Sequence, residues 1–565
     1  PPVDEMLFQL EHICHVKELL NYNKYENIDL LTISKILDEV GKLSTKSIAP
    51  LNRVGDLVHP KKQNDLVLCP PEFLKAYKEI SSGGWIGMSG SEDFGGMDLP
   101  LVIGSCVNEM LGSACLSLAL NPLMTQGQIE ALQSHASDAI KKCFLPHLIS
   151  GRWSGTMNLT EEAAGSDVGA LAASATQKEN GTYEISGQKI YISWGEHDLT
   201  ENICHLVLAR IPGSPNGTKG ISLFLVPKFL PTEEGGIGKR NRLAAVSLEN
   251  KMGLHGSPTA VMSYNKAIGW LIGKPNEGMS AMFTMMNNAR LGVAVQGLSQ
   301  AERAFQTAVK HSKDRKQGRA QVKNGFGTII DHADVRKNLL YMKALTSVSR
   351  SLCLDTAMSI DLAKLSGSSF HQNRAAFLIP IAKAFSTDNG CRVSDIGIQV
   401  HGGLGFIESS GVPQLFRDAR ITAIYEGTNG IQAMDLVNRK LSDGGAAGFS
   451  LIEEFFNTEQ ICVQKGIIGV DVIEEFRIAR LNLFEALKWM LETKNLNERY
   501  AGATQFLRAF GIILGAHYLL KGATKSQKVE KIELAKFYID HILPESLAAI
   551  KSACRGSESI YRTPV

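Results

Sequence analysis

Apolar residues recur at helical spacing over much of the chain, and the places where that period fails mark a change of architecture. Within Asp331–Leu365, which has neither Gly nor Pro, Leu339, Leu340, Met342, Leu345 and Val348 follow the period of an amphipathic helix. Thr32–Ser44 and Leu101–Leu118 read as helices too, with a glycine-rich loop, Ser89–Gly96, between them. Proline breaks helix interiors, and residues 276–379 and 414–543 contain none, so both stretches read as helical bundles. Between Ser154 and Pro275 the pattern changes to short β-branched or aromatic runs, Tyr183–Ile185, Ile190–Ser193, His205–Ala209 and Ile221–Val226, separated by glycines and prolines. Asn180-Gly181 is a two-residue hairpin signal before the first of these. Ser442–Gly448, all small or polar, reads as a joint. The predicted order is an α+β chain: an N-terminal helical domain (1–153), a middle β-barrel-like domain (154–275), a C-terminal helical bundle (276–440) and an extra helical tail (441–565).

Composition narrows the function. The 565 residues carry 59 basic and 57 acidic side chains, a net charge of +2, and the tail from 441 has 15 of each. No nucleic-acid arm is expected, because binding phosphate needs clustered Lys and Arg. Ten cysteines without a C-x-x-C pair indicate neither a disulfide framework nor a zinc ribbon, which points to a reducing, cytoplasmic setting. Apolar runs such as Phe510–Leu520 fall short of the roughly 20 residues of a membrane span, and no basic-then-apolar leader opens the chain. The chain also lacks G-x-G-x-x-G, G-x-x-x-x-G-K-[ST], H-E-x-x-H and G-x-S-x-G, which removes the main support for dinucleotide, P-loop, zincin and α/β-hydrolase readings. His12, Cys14 and His15 have no further ligand nearby, so no metal site is expected.

Four polar, glycine-rich segments interrupt the apolar pattern. Met157–Gly169, MNLTEEAAGSDVG, offers hydroxyls at Thr160 and Ser166 among small residues that would let a flat ring approach backbone amides; a capped turn explains it equally well. In Gly187–Gly195, GQKIYISWG, Tyr191 and Ser193 share one strand face, suited to a cofactor ring or to ordinary packing. Gln399–Gly405, QVHGGLG, allows close backbone approach, and Arg315 provides a forked donor for pyrophosphate; a helix cap is the alternative. In Arg417–Gln432, RDARITAIYEGTNGIQ, Glu426 lies between apolar neighbours and Gly427. It is either a partly desolvated general base or a loop carboxylate beside a Thr428/Asn429 cap.

Taken together and in this order, the four segments resemble the acyl-CoA dehydrogenase family over nearly the whole chain. Thr160, Glu161, Gly165, Ser166 and Asp167 match its T-E-x-x-x-G-S-D segment, and Tyr425–Thr428 match its Y-E-G-T segment. The resemblance implies FAD and α,β-dehydrogenation of an acyl-CoA thioester. Glu426 then removes the α-proton while the β-hydride passes to the flavin, and the Glu426 amide hydrogen-bonds the thioester oxygen. It places Leu159, Thr160, Gly165, Ser166, Tyr191 and Ser193 at the flavin ring, Arg315 at the pyrophosphate and Thr428 toward the adenosine. Gln399, Gly402 and Gly403 reach FAD from a neighbouring subunit, which implies a homo-oligomer, dimer or tetramer. Arg290 lies near the base and the pantetheine, and an electron-transfer flavoprotein or similar acceptor takes the electrons. The long tail and Ala49–Asp56 are similar to a bacterial branch acting on 3-methylmercaptopropionyl-CoA; a short straight-chain thioester, an oxidase reaction with O2 and a DNA-binding flavoprotein are the alternatives. The chain departs from the family pattern at Glu162, at Arg315-Lys-Gln-Gly318 and at Gly430.

Overall fold

The computed structural model describes residues 1–565 except Glu234, Lys323, Gln527 and Val565, and leaves out the side chains of Phe283, Thr284, Met285 and Asn287. The β-rich stretch forms a seven-stranded sheet that closes on itself. Strands Thr259–Ile272, Tyr183–Ser193, Ser174–Gln177, Asn202–Arg210 and Ile221–Pro227 pair in that order, and the last returns to the first through Leu223–Leu225 opposite Trp270–Ile272. Leu243–Leu248 and Trp153–Asn158 extend the sheet outside this ring. Asn180-Gly181 does mark a hairpin between Ser174–Gln177 and Tyr183–Ser193, but the loop has three residues rather than two: the Lys178 N–H donates to the Thr182 carbonyl (2.8 Å) and the Gly181 N–H to the Lys178 carbonyl (3.0 Å), with Gly181 at φ 80°.

The strand period of two sorts side chains into two cores. Along Asn202–Arg210, Val207 and Ala209 pack with Tyr183, Ile185, Phe224 and Met262. Cys204, Leu206 and Leu208 instead face a cluster with Trp153 and Phe144, Leu145 and Leu148 of helix Asp138–Ile149. Each fully buried Leu or Phe contributes about 1.5–3 kcal/mol. Buried polar groups fix helix Leu116–His135 to the sheet: Thr125 accepts the Gly155 N–H at 3.0 Å, and Gln128 donates to the Cys204 carbonyl at 2.9 Å.

Two units divide the chain, Glu39–Gly292 and Pro1–Asp38 with Val293–Val565, and both boundaries fall inside helices, Leu30–Leu43 and Gly278–Asp314. The second unit is helical. Its long helices Ala333–Ser366 and Ser369–His401 carry the tail helix Leu496–Ser526, whose Gly511 lies against Phe385 and whose Gly515 lies against Tyr538 and Val348. Arg374 joins Asp355 (2.9 Å) to Glu454 (2.5 Å), and the Tyr518 hydroxyl donates to Asp355 at 2.6 Å. Among the described residues no helix is long and apolar enough to cross a membrane.

The structure corrects two expectations. Leu101–Leu118 is not one helix, because Cys115 is extended (φ −157°, ψ 96°) between helices Leu101–Ala114 and Leu116–His135. Proline also does not always divide helices here, since Pro122, Pro146 and Pro380 lie inside them. All of helix Ser369–His401 from Phe377 to Thr387 is buried, and that packing outweighs the roughly 3 kcal/mol an interior proline costs.

Candidate active site

In the Glu39–Gly292 unit, the Ile190 N–H donates to the Thr160 carbonyl at 2.9 Å, laying the Leu159–Ser166 loop beside the strand that carries Tyr191. Glu161 anchors that loop. Its carboxylate accepts the N–H groups of Ala172 (2.7 Å) and Ala173 (3.1 Å) and the ammonium of fully buried Lys189 (2.7 Å), which also donates to the Leu159 carbonyl (3.0 Å). Burial pulls the Lys189 pKa down, and the Glu161 carboxylate opposes that pull. Gly165 and Ser166 stay exposed, and a Cβ on Gly165 would meet nothing within 4 Å.

Tyr191 sits on a β-bulge: opposite Val261 the register slips, so that Ile192 faces Ala260 while Lys189 faces Met262. The bulge holds Tyr191 at φ 60° and Trp194 follows at φ 57°, a left-handed conformation that bulky side chains rarely adopt. The bulge shifts the alternation by one residue: Tyr183, Ile185 and Lys189 are buried before it and Ile192 after it, leaving Tyr191 62% exposed. Ser193 is half-buried on the same side as Tyr191. Arg290 is buried on helix Gly278–Asp314.

In the helical unit, Glu426 is half-buried with φ 56°, followed by Gly427 at φ 84°. This strained turn is held on both sides. The Tyr425 N–H donates to the Ile421 carbonyl (3.1 Å), and its hydroxyl donates to Gln296 Oε1. Burial, reinforced by the neighbouring Glu426 charge, pushes the Tyr425 phenol far up. On the other side, Gln432 Nε2 donates to the Glu426 (3.3 Å) and Gly427 (3.4 Å) carbonyls. Lys383 Nζ donates to the Gly427 carbonyl and to Asn429 Oδ1, each at 2.9 Å. Thr428 is the N-cap of helix Asn429–Asn438, its Oγ1 accepting the Ile431 N–H at 3.2 Å.

A separate contact brings Arg315 near the glycine turn. His311 and His401 stack with centroids 4.4 Å apart; the Arg315 N–H donates to the His311 carbonyl (2.9 Å), and Gly402 follows His401 directly. Burial lowers both imidazole pKa values, and for His311 the His401 and Arg315 charges add to it, so the pair is neutral near pH 7. Gly402 (φ 62°, ψ −142°) occupies a region open almost only to glycine, and a Cβ on it or on Gly403 would meet nothing within 4 Å. Gln399 and Arg315 are exposed.

These features fit FAD in both units. One loop and strand offer hydroxyls at Thr160, Ser166 and Ser193 with the exposed ring of Tyr191, and the other unit offers an exposed arginine and a glycine turn with room for a ligand. The residues expected from sequence therefore form two groups, Leu159, Thr160, Gly165, Ser166, Tyr191 and Ser193 in one unit, and Arg315, Gln399, Gly402, Gly403, Glu426 and Thr428 in the other, with Arg290 on its helix. Sequence reasoning missed Lys189, Gln296, Lys383 and Gln432. Only a charge inside an apolar helical run, Lys383 in Ile379–Phe385, could have marked any of them.

Models of the acyl-CoA dehydrogenase N-terminal, middle and C-terminal domains match residues 35–152, 156–267 and 276–441, and one described as acetyl-CoA dehydrogenase C-terminal like matches 457–564. The chain belongs to the acyl-CoA dehydrogenase family of FAD-dependent oxidoreductases. It is 43% identical over 518 residues to 3-methylmercaptopropionyl-CoA dehydrogenase of Ruegeria pomeroyi, covering 90% of this chain and 88% of that one. ACDH-11 of Caenorhabditis elegans in complex with C11-CoA superposes with a TM-score of 0.79 at 22% identity, over 95% of this chain and 90% of that one. A Bacillus anthracis acyl-CoA dehydrogenase complexed with FAD gives 0.75 at 19% identity, over 94% and 88%.

Proposed function

We propose that this enzyme oxidises the acyl Cα–Cβ bond of 3-methylmercaptopropionyl-CoA, with Glu426 as the catalytic base. The observation that carries this reading is the turn at Glu426: a carboxylate in a left-handed conformation, held on both sides by buried donors and acceptors. Strain of this kind costs on the order of 1–3 kcal/mol and persists where the surroundings fix it. The Glu426 carboxylate takes the α-proton, and its backbone N–H polarises the thioester carbonyl as negative charge develops there. FAD, when bound, supplies the acceptor for the β-hydride. Thr160, Ser166, Tyr191 and Ser193 hold the ring side of the cofactor and Arg315 its pyrophosphate; Gln399, Gly402 and Gly403 reach it from a second subunit of a homo-oligomer, and Thr428 lies toward the adenosine. Arg290 supports the pantetheine.

The relative's identity over nine-tenths of the chain supports the sulfur-containing substrate. An apolar pocket separates thioesters differing by one methylene by only about 1–3 kcal/mol, so butyryl-CoA is expected to be a slower substrate rather than an inert one. The domain division at 153, 275 and 440, an electron-transfer flavoprotein as acceptor and a cytoplasmic setting belong to the same reading. Glu426→Gln should retain its yellow flavin and lose about 100- to 10,000-fold in dye-coupled turnover; turnover close to the parent's would remove Glu426 as the base.

A further inference from the structure

The residues around Glu426 do unequal work. Lys383 is an ammonium with no exposed side-chain surface, on the long helix Ser369–His401, and a buried charge of this kind is retained only where its donors are used. Two of its hydrogen bonds go to the Glu426 turn: 2.9 Å to the carbonyl of Gly427, the residue after the base, and 2.9 Å to Asn429 Oδ1. Asn429 passes the constraint back to the same helix, its Nδ2 donating to the Asp388 carboxylate (2.7 Å) and to Thr387 Oγ1 (3.0 Å). The helix is itself fixed. Gly297 and Gly390 meet at the crossing of two helices, where a Cβ on Gly297 would lie 2.6 Å from the Ser386 carbonyl oxygen. The left-handed pair Glu426–Gly427 is therefore tied through one buried cation to a helix that crosses its neighbour backbone against backbone.

We infer that Lys383 is the positioning residue of the base: its ammonium holds the Gly427 carbonyl and the Asn429 cap so that the Glu426 carboxylate stays directed at the thioester α-carbon. The inference rests on Glu426 being the base. A misplacement of about 1 Å costs on the order of 100-fold in rate, while cofactor and thioester contacts made by other residues stay in place.

The test uses purified flavoprotein carrying Lys383→Met, Lys383→Gln or Glu426→Gln. It measures flavin per protein, anaerobic flavin bleaching by 3-methylmercaptopropionyl-CoA, exchange of that thioester's α-protons with D2O, and KM. For Lys383→Met we expect parental flavin content, KM within about threefold, and bleaching and exchange both lower by about 100-fold. Lys383→Gln, which keeps a shorter amide donor, should lose about 10-fold. A variant with parental flavin whose bleaching and exchange stay within about threefold of the parent overturns the role. So does loss of folding or flavin in both Lys383 variants, because the residue would then be structural. If Glu426→Gln abolishes exchange while Lys383→Met keeps it, only the positioning role falls. If Glu426→Gln keeps exchange, the base assignment falls first.

Discussion

A glutamate at φ 56° is an expensive way to end a turn, and a glycine in the same place would be free of that cost. Glu426→Gly should therefore raise the thermal midpoint while abolishing flavin bleaching, a separation of stability from function that a merely structural carboxylate would not give. A lowered midpoint would mean that Glu426 stabilises the fold. Tyr191 at a bulge beside the Thr160 loop and Trp194 in the turn after the strand repeat the pattern, aromatic residues held left-handed. The candidate chemical groups could be read along the chain, and the residues that support them could not. Glu426, Thr160 and Arg315 stand in motifs that can be read in order along the chain. Lys383 and Gln296 lie 43 and 130 residues from Glu426 and meet its turn only through helix packing. The backbone strain at Tyr191 has no local signature, because a strand of β-branched and aromatic residues reads the same with or without a bulge.

Among the elements, the helix crossing at Gly297 and Gly390 brings two backbones into direct contact. A Cβ on Gly297 would lie 2.6 Å from the Ser386 carbonyl oxygen and 2.7 Å from the Thr387 Cα, and backbone atoms cannot swing aside as a side chain can. Gly297→Val is expected to lower stability by about 1–3 kcal/mol and to slow bleaching as well, because the displaced helix carries Lys383. A variant as stable and as fast as the parent would show that the crossing yields without consequence. Element type was legible wherever the period was long: helix Ala333–Ser366 covers all of the expected Asp331–Leu365 but its first two residues, and Asn202–Arg210 and Ile221–Pro227 contain the expected runs. It failed at Cys115, where a residue compatible with helix is extended between two buried helices, and at Pro380, where burial overrides propensity.

Across the whole molecule, the tail is joined to the bundle by charges. Glu545 accepts hydrogen bonds from Arg392 (2.9 and 3.0 Å), Arg508 (2.8 Å) and the Tyr341 hydroxyl. Burial alone would raise its pKa, but these donors outweigh burial and hold it down at about 2. A carboxylate depressed in the folded state stabilises it above the unfolded pKa of about 4.3 and loses that contribution as pH falls toward 2. Glu545→Gln should thus cost on the order of 2–3 kcal/mol at pH 7, with the deficit shrinking below pH 4; a deficit independent of pH would assign the effect to packing. Fold class could be read from the chain at this scale, because the change of period near 154 and 275 divides it visibly. The grouping of Pro1–Asp38 with Val293–Val565 rests on pairs such as Gln9 and Ser347, 3.2 Å apart, which no local pattern announces. Glu426-dependent dehydrogenation is tested most directly by anaerobic titration of the parent and Glu426→Gln flavoproteins with 3-methylmercaptopropionyl-CoA and butyryl-CoA, following the visible flavin absorbance. The parent should bleach with both thioesters, faster with the sulfur compound, and the Gln variant should stay yellow. A parent that keeps its flavin colour with both thioesters, or a Gln variant that bleaches at the parental rate, would rule out Glu426-dependent dehydrogenation of these thioesters.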